Sequence, residues 1–149
     1  MNELLDDLRR IYERADRLYA DWSCPNSTEC CRFGITGRQP YVTSIELSLL
    51  RHSLAGGGGE LTPRHRALPI SRDAAEERVC PLLDRSGRCS VYAERPLGCR
   101  SYYCERAQRG VGPSGDDLRE LVRELQELAA KYELGGELAR PLTRALEGT

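Results

Sequence analysis

Seven cysteines, Cys24, Cys30, Cys31, Cys80, Cys89, Cys99 and Cys104, constrain this chain more than any other feature of its sequence. They fall into two groups, 24–31 and 80–104, and both groups lie in turn-rich stretches, whereas the three longest runs of helical periodicity contain none. A cysteine used as a small core hydrophobe belongs on such a run. Its absence there points to ligation. Thiolates are soft donors that select zinc, copper(I) or iron–sulfur clusters, and a tetrahedral zinc site gathers four donors at about 2.3 Å. Seven thiols make one four-cysteine site with three left over, or two sites completed by another donor or a bridging sulfur.

Disulfides are the competing use of cysteine, and the sequence argues against them. An odd number of cysteines cannot all pair within one chain. At the N-terminus, Asp6, Asp7, Arg9 and Arg10 interrupt what a secretory signal needs as an apolar stretch. No run approaches the roughly 20 apolar residues of a membrane-spanning helix. A cytoplasmic location, where thiols stay reduced, is the expectation.

The 149 residues suit a single domain, 1–149. Core material is thin for that length, with 6% aromatic and 30% charged residues, one Phe, one Trp and one Met. Metal ligation is therefore expected to organise a poor hydrophobic core. The formal charge of −1 offers no electrostatic footprint for nucleic acid or a membrane surface.

The expected fold class is mainly α with a small β-hairpin, and an irregular cysteine-rich core between helices. The first helix covers about 3–22, with Leu4, Leu8, Ile11, Ala15, Leu18 and Trp22 on one stripe, Leu5, Tyr12 and Tyr19 beside it, and Asn2 as its N-cap. The second covers about 44–55. Thr43 and Glu46 have capping-box spacing, Leu47, Leu50 and Leu54 share a face, and the glycines at 56–59 end it. Thr62-Pro63 is placed to start one short helical turn. A third long helix covers about 116–133, with Leu118, Leu121, Val122, Leu125, Leu128, Ala129 and Tyr132 on its stripe and Gly135-Gly136 as its stop. A short terminal helix follows Pro141. Between these, residues 79–92 read as a hairpin around the turn at 84–87. If that hairpin pairs Leu83 with Arg88, Cys80 and Cys89 project from one face as diagonal neighbours about 7–8 Å apart at Cα. A one-residue slip would put them on opposite faces. Cys99 and Cys104 would point about 140° apart on an ideal helix, so sharing a metal requires non-helical backbone between them. The two histidines, His52 and His65, read as surface or packing residues.

The stretch 80–100, CPLLDRSGRCSVYAERPLGCR, resembles the core of the YkgJ-type cysteine-cluster proteins, the CxxCxxCC zinc- or iron-chelating family. Its pattern of C-P-x-L followed by G-x-C-x-[IV]-Y-x-x-R-P-x-x-C-R is matched by Cys80, Gly87, Cys89, Tyr92, Arg95, Pro96, Cys99 and Arg100. The N-terminal CxxCxxCC half is met by Cys24, Cys30 and Cys31, with Ser27 in the second position. Cys104 lies just beyond the pattern, and the expectation is that it supplies the sulfur lost at Ser27. The resemblance implies zinc, or alternatively iron or an iron–sulfur cluster, held by the cysteines, and it does not imply a settled activity. Arg95 and Arg100 are expected either to offset thiolate charge as hydrogen-bond donors or to pair with Glu94 or Glu105 at the surface. Tyr92, Tyr102 and Tyr103 are expected to pack around the site, and Pro96 to start the turn that carries Cys99.

No HExxH, nucleophile elbow, dinucleotide fingerprint or Cys-x-x-Cys dithiol is present, which points away from an enzyme. The leading function is metal binding. An iron or iron–sulfur redox protein or enzyme is one alternative, and a metal-stabilised adaptor docking through the 116–133 helix is another. No protein partner is indicated.

Overall fold

A computed structural model describes residues 2–18, 39–58, 80–84, 88–101 and 115–147. The architecture is mainly helical with small antiparallel pairings, as the periodicity predicts. Helix α1 spans Asn2–Leu18, β1 Tyr41–Val42, α2 Ser44–Ser53, α3 Leu97–Ser101, α4 Gly115–Tyr132, β2 Arg140–Pro141 and α5 Leu142–Leu146. Asn2 is itself the first helical residue of α1. Tyr19, Trp22 and the Thr62-Pro63 turn lie outside the described residues.

Two apolar clusters form the interior. In the first, Leu5, Leu8, Ile11, Tyr12 and Ala15 of α1 meet Leu121, Leu125, Leu128 and Ala129 of α4, with Ile45 and Leu49 of α2 and Leu97 of α3 between them. Leu4 and Leu18 are only partly buried, so the inward face of α1 is rotated toward Leu5 and Tyr12. An ion pair between Arg14 and Glu124 ties α1 to α4 at the edge of this contact. Leu121, Leu125, Leu128 and Ala129 of the α4 stripe are thus covered by the protein's own helices, while Leu118 lies outside the cluster and Val122 is exposed. That removes the reason for reading it as a docking face.

The second cluster contains Val42, Leu47, Leu50, Cys80, Leu82, Val91, Leu142, Ala145 and Leu146, with Leu54 and Cys89 packed against it. Helix α2 is the shared wall. Leu47, Leu50 and Leu54 face the second cluster, as their spacing predicts, while Ile45 and Leu49 face the first. A helix with apolar residues on two faces is buried on two faces. The glycines after α2 do not stop it abruptly: the chain continues as a wider π-type turn over Leu54–Gly58.

Long-range backbone bonds close the structure. Strand β1 pairs antiparallel with β2, Tyr41 opposite Pro141 and Val42 opposite Arg140. The Leu142 N–H donates to the Pro40 carbonyl at 2.9 Å. The Gln39 side-chain oxygen accepts from the N–H and hydroxyl of Thr143 at 3.1 and 2.8 Å, capping α5 from the other end of the chain. After α4, Gly135 adopts φ 78°, the left-handed conformation that suits a helix stop. The adjacent Gly136 carbonyl accepts the N–H of Ser44, the first residue of α2, at 3.2 Å. A side chain at Gly136 would collide with Ser44 Oγ and the Ala129 carbonyl, so only glycine permits this approach. No helix among the described residues is long and apolar enough to cross a membrane.

Candidate metal centre

Of the seven cysteines, Cys80, Cys89 and Cys99 lie within the described residues; Cys24, Cys30, Cys31 and Cys104 lie outside them, as do Ser27, His65, Gly87, Tyr102, Tyr103 and Glu105. His52 is exposed at the end of α2. Cys80, at 5% exposure, sits inside the second apolar cluster, while Cys89 and Cys99 are half-buried. Among the described residues no three His, Cys, Asp or Glu side chains converge into a metal-holding group.

Cys80 and Cys89 flank a loop that is held shut. The Leu83 N–H donates to the Cys80 carbonyl at 3.0 Å, closing a tight turn over Pro81. Leu83 and Cys89 then form a single antiparallel bridge. On either side of it, the Asp84 N–H bonds the Arg88 carbonyl at 2.7 Å and the Ser90 N–H bonds the Leu82 carbonyl at 2.8 Å. The Asp84 carboxylate accepts the Arg88 N–H at 3.0 Å, and the Ser90 hydroxyl donates to Leu82 at 2.7 Å. Pairing is therefore Leu83 with Cys89, one residue off the register that places Leu83 opposite Arg88. The face argument based on that register does not hold, because Cys80 heads a turn and does not continue a strand. Both cysteines nevertheless border the same apolar cluster, Cys80 as a buried member and Cys89 packed against it.

Cys99 is carried by α3. Pro96 precedes this helix, and its carbonyl accepts the N–H groups of Cys99 and Arg100 at 3.0 and 3.1 Å. The proline starts the helical turn as its fixed φ allows. Gly98 presses against the segment before β1, where an added Cβ would stand 2.9 Å from Pro40 Cβ. Between Cys99 and Cys104 the helix extends to residue 101; the remainder lies outside the described residues.

Two buried charged side chains hold this turn. Arg100 is 5% exposed. Its Nε donates to the Arg95 carbonyl at 2.8 Å, one terminal nitrogen to the Ala93 carbonyl at 2.5 Å, and the other to Asp16 of α1 at 2.7 Å. Its plane lies 4.2 Å from the centre of the Tyr12 ring. Among the described residues Arg100 pairs with Asp16 of α1 and not with Glu94, which pairs with Arg9 at 3.3 Å. Arg95 stacks on Tyr92 at 3.9 Å, and Tyr92 is exposed and not packed inward.

The second is Glu46, 1% exposed. Its Oε2 accepts the Thr43 N–H at 2.9 Å and the Thr43 hydroxyl at 3.0 Å, the capping-box geometry expected from sequence. Its Oε1 accepts the Leu97 N–H at 2.8 Å and the Tyr12 hydroxyl at 3.3 Å. Burial pushes the carboxyl up from its ordinary range, against the lowering effect of those four donors. Burial, and then Glu46, also push the Tyr12 phenol well up. Sequence reasoning found Glu46 only as a cap. Its second oxygen, and the parts played by Tyr12, Asp16 and Gly98, carry no signal in spacing or composition, because their partners come from other elements.

The donor chemistry fits a soft metal: three thiols, Cys80 buried in the second cluster, Cys89 packed against it and Cys99 half-buried on α3, all on segments fixed by backbone and side-chain bonds. Comparison with curated proteins and with solved structures finds no match. A family model described as "CxxCxxCC: Putative zinc- or iron-chelating domain" matches residues 23–114, more than half of the chain, which therefore belongs to that zinc- or iron-chelating family.

Proposed function

We propose that this protein binds zinc through thiolates from both cysteine groups, Cys24, Cys30 and Cys31 with Cys80, Cys89, Cys99 and Cys104, in a reducing cytoplasmic setting. The observation that carries the reading is the anchoring of Cys80 and Cys89 on a turn and bridge closed by local bonds, and of Cys99 on a short helix that Glu46 caps from α2. Such turns suit metal ligands, which must aim several sulfurs at one point. Bound metal would supply the joint between the second apolar cluster and the 24–31 segment. Cys104 takes the place of the sulfur missing at Ser27, so Cys104→Ser and Cys99→Ser are each expected to lower metal stoichiometry.

Elemental analysis with a visible spectrum, on protein purified without oxygen, tests the reading. Colourless protein containing zinc supports it. A brown protein with iron and sulfide would favour the alternative iron–sulfur reading, which uses the same donors. Protein with no transition metal, folded and fully reduced, would overturn both.

A further inference from the structure

The geometry points to Glu46 as a positioning residue for Cys99, a role that rests on the metal-binding reading above. A capping box needs only one carboxylate oxygen, and Oε2 already serves it through the Thr43 N–H and hydroxyl. Oε1 reaches across 51 residues of sequence to the Leu97 N–H at 2.8 Å. Leu97 opens α3, and the residue before it is Pro96, which has no side-chain acceptor to cap that N–H. Glu46 is therefore the N-terminal cap of the helical turn that carries Cys99, supplied from another helix.

A helix as short as α3, Leu97–Ser101, does not sustain itself, so its geometry is set by what holds its ends. Glu46 holds it at Leu97. Arg100 holds the other side through the carbonyls of Ala93 and Arg95 and through Asp16. Gly98 is pressed on Pro40 between them. Cys99 lies inside this clamp, and protein contacts hold its backbone on both sides. Burying a carboxylate among apolar side chains is costly, and a threonine or serine cap would cost less. What the carboxylate adds is a rigid fork that serves α1, α2 and α3 at once, through Tyr12, Thr43 and Leu97.

The test is a Co²⁺ titration of the full chain, reduced and oxygen-free, read by the thiolate-to-cobalt absorption and by chelator competition. Glu46→Ala is expected to weaken binding about 10- to 100-fold, the usual range for groups that orient ligands, with stoichiometry unchanged. In a Cys99→Ser background the same change is expected to weaken binding less than about twofold, because the ligand it positions is gone. A merely structural role would weaken binding equally in both backgrounds, and that result overturns the inference, as does wild-type affinity in Glu46→Ala. Should Glu46→Ala fail to fold by circular dichroism, Glu46→Gln decides in the same cycle. It keeps the shape but turns an amide N–H₂ toward one pair of donors, and its loss is expected in the same direction and smaller. Wild-type protein that takes up no Co²⁺ would sink the metal reading itself, an outcome distinct from a Glu46 variant that binds normally.

Discussion

The two apolar clusters differ in what holds them together. The first, between α1, α4 and one face of α2, is built from leucine, isoleucine, alanine and a tyrosine, all on those three helices except Leu97 of α3, and none of its described members is a cysteine. The second, on the other face of α2, is built from turns, a two-residue strand and the five-residue helix α5, and it includes Cys80 and Cys89. Long amphipathic helices bury a continuous stripe and need nothing further. Short turns bury little per residue and leave many ordered backbone groups to be stabilised by other means. The contrast corrects the view that the chain's apolar residues are too few to join its parts. They close the helical half, and on the proposed reading it is the cysteine half that metal would join.

Metal removal is the strongest test of that contrast. Chelation under reducing conditions is expected to abolish hydrogen-exchange protection around Cys80 and Cys89 while α1, α4 and the clamped helix α3 keep theirs, because structural zinc contributes on the order of 10 kcal/mol to the segment that binds it. Loss of protection throughout the chain would mean that the clusters do not fold independently.

Leu8→Ala gives the next largest effect. Leu8 is fully buried in the first cluster, and the cavity is expected to cost about 3 kcal/mol. Thermal unfolding should show the same loss with and without metal; a loss seen only in the metal-bound form would break the comparison.

The charged residues between the two regions sharpen it. Arg100→Met removes the partner of Asp16 and leaves the carbonyls of Ala93 and Arg95 unmet. It is expected to cost about 2–3 kcal/mol in denaturant unfolding and to lower protection around α3 more than in α4. Glu46→Gln is expected to cost about 1–2 kcal/mol near pH 5, since its amide must face one donor pair. The Glu46 carboxyl sits above its ordinary range in the fold, so the native state holds that proton more tightly than the unfolded chain. Its contribution is fully present at acidic pH and falls as pH rises through the folded value. Unfolding free energies of wild type and Glu46→Gln measured from pH 4 upward should therefore converge as pH rises, and a constant difference would count against the shift. The smallest effect belongs to Gln39→Ala, which removes the cap of α5 and should cost about 1 kcal/mol, confined to the second cluster.

Much of the first region is legible in the sequence. The spacing of Leu4 to Leu18 and of Leu121 to Tyr132 specifies two amphipathic helices, and Thr43 with Glu46 marks the start of α2. These features are local: periodicity, caps and glycine stops act within a few residues and leave their mark in the order of the chain. The cysteine pattern is equally plain, and it alone brings the family into view.

Tertiary structure decided what crosses between elements. It put Ile45 and Leu49 to work on the face of α2 opposite Leu47 and Leu50, because two clusters press on that helix. The pairing of Leu83 with Cys89, and of β1 with a strand at the far end of the chain, depends on loop geometry and packing that no run of residues encodes by itself. In a row of letters Glu46 reads as a cap, Arg100 as part of the cysteine motif and Asp16 as an ordinary surface charge. Only when α1, α2 and α3 meet do Glu46 and Arg100 become buried, since a charge can stay out of water only where other elements supply its hydrogen bonds.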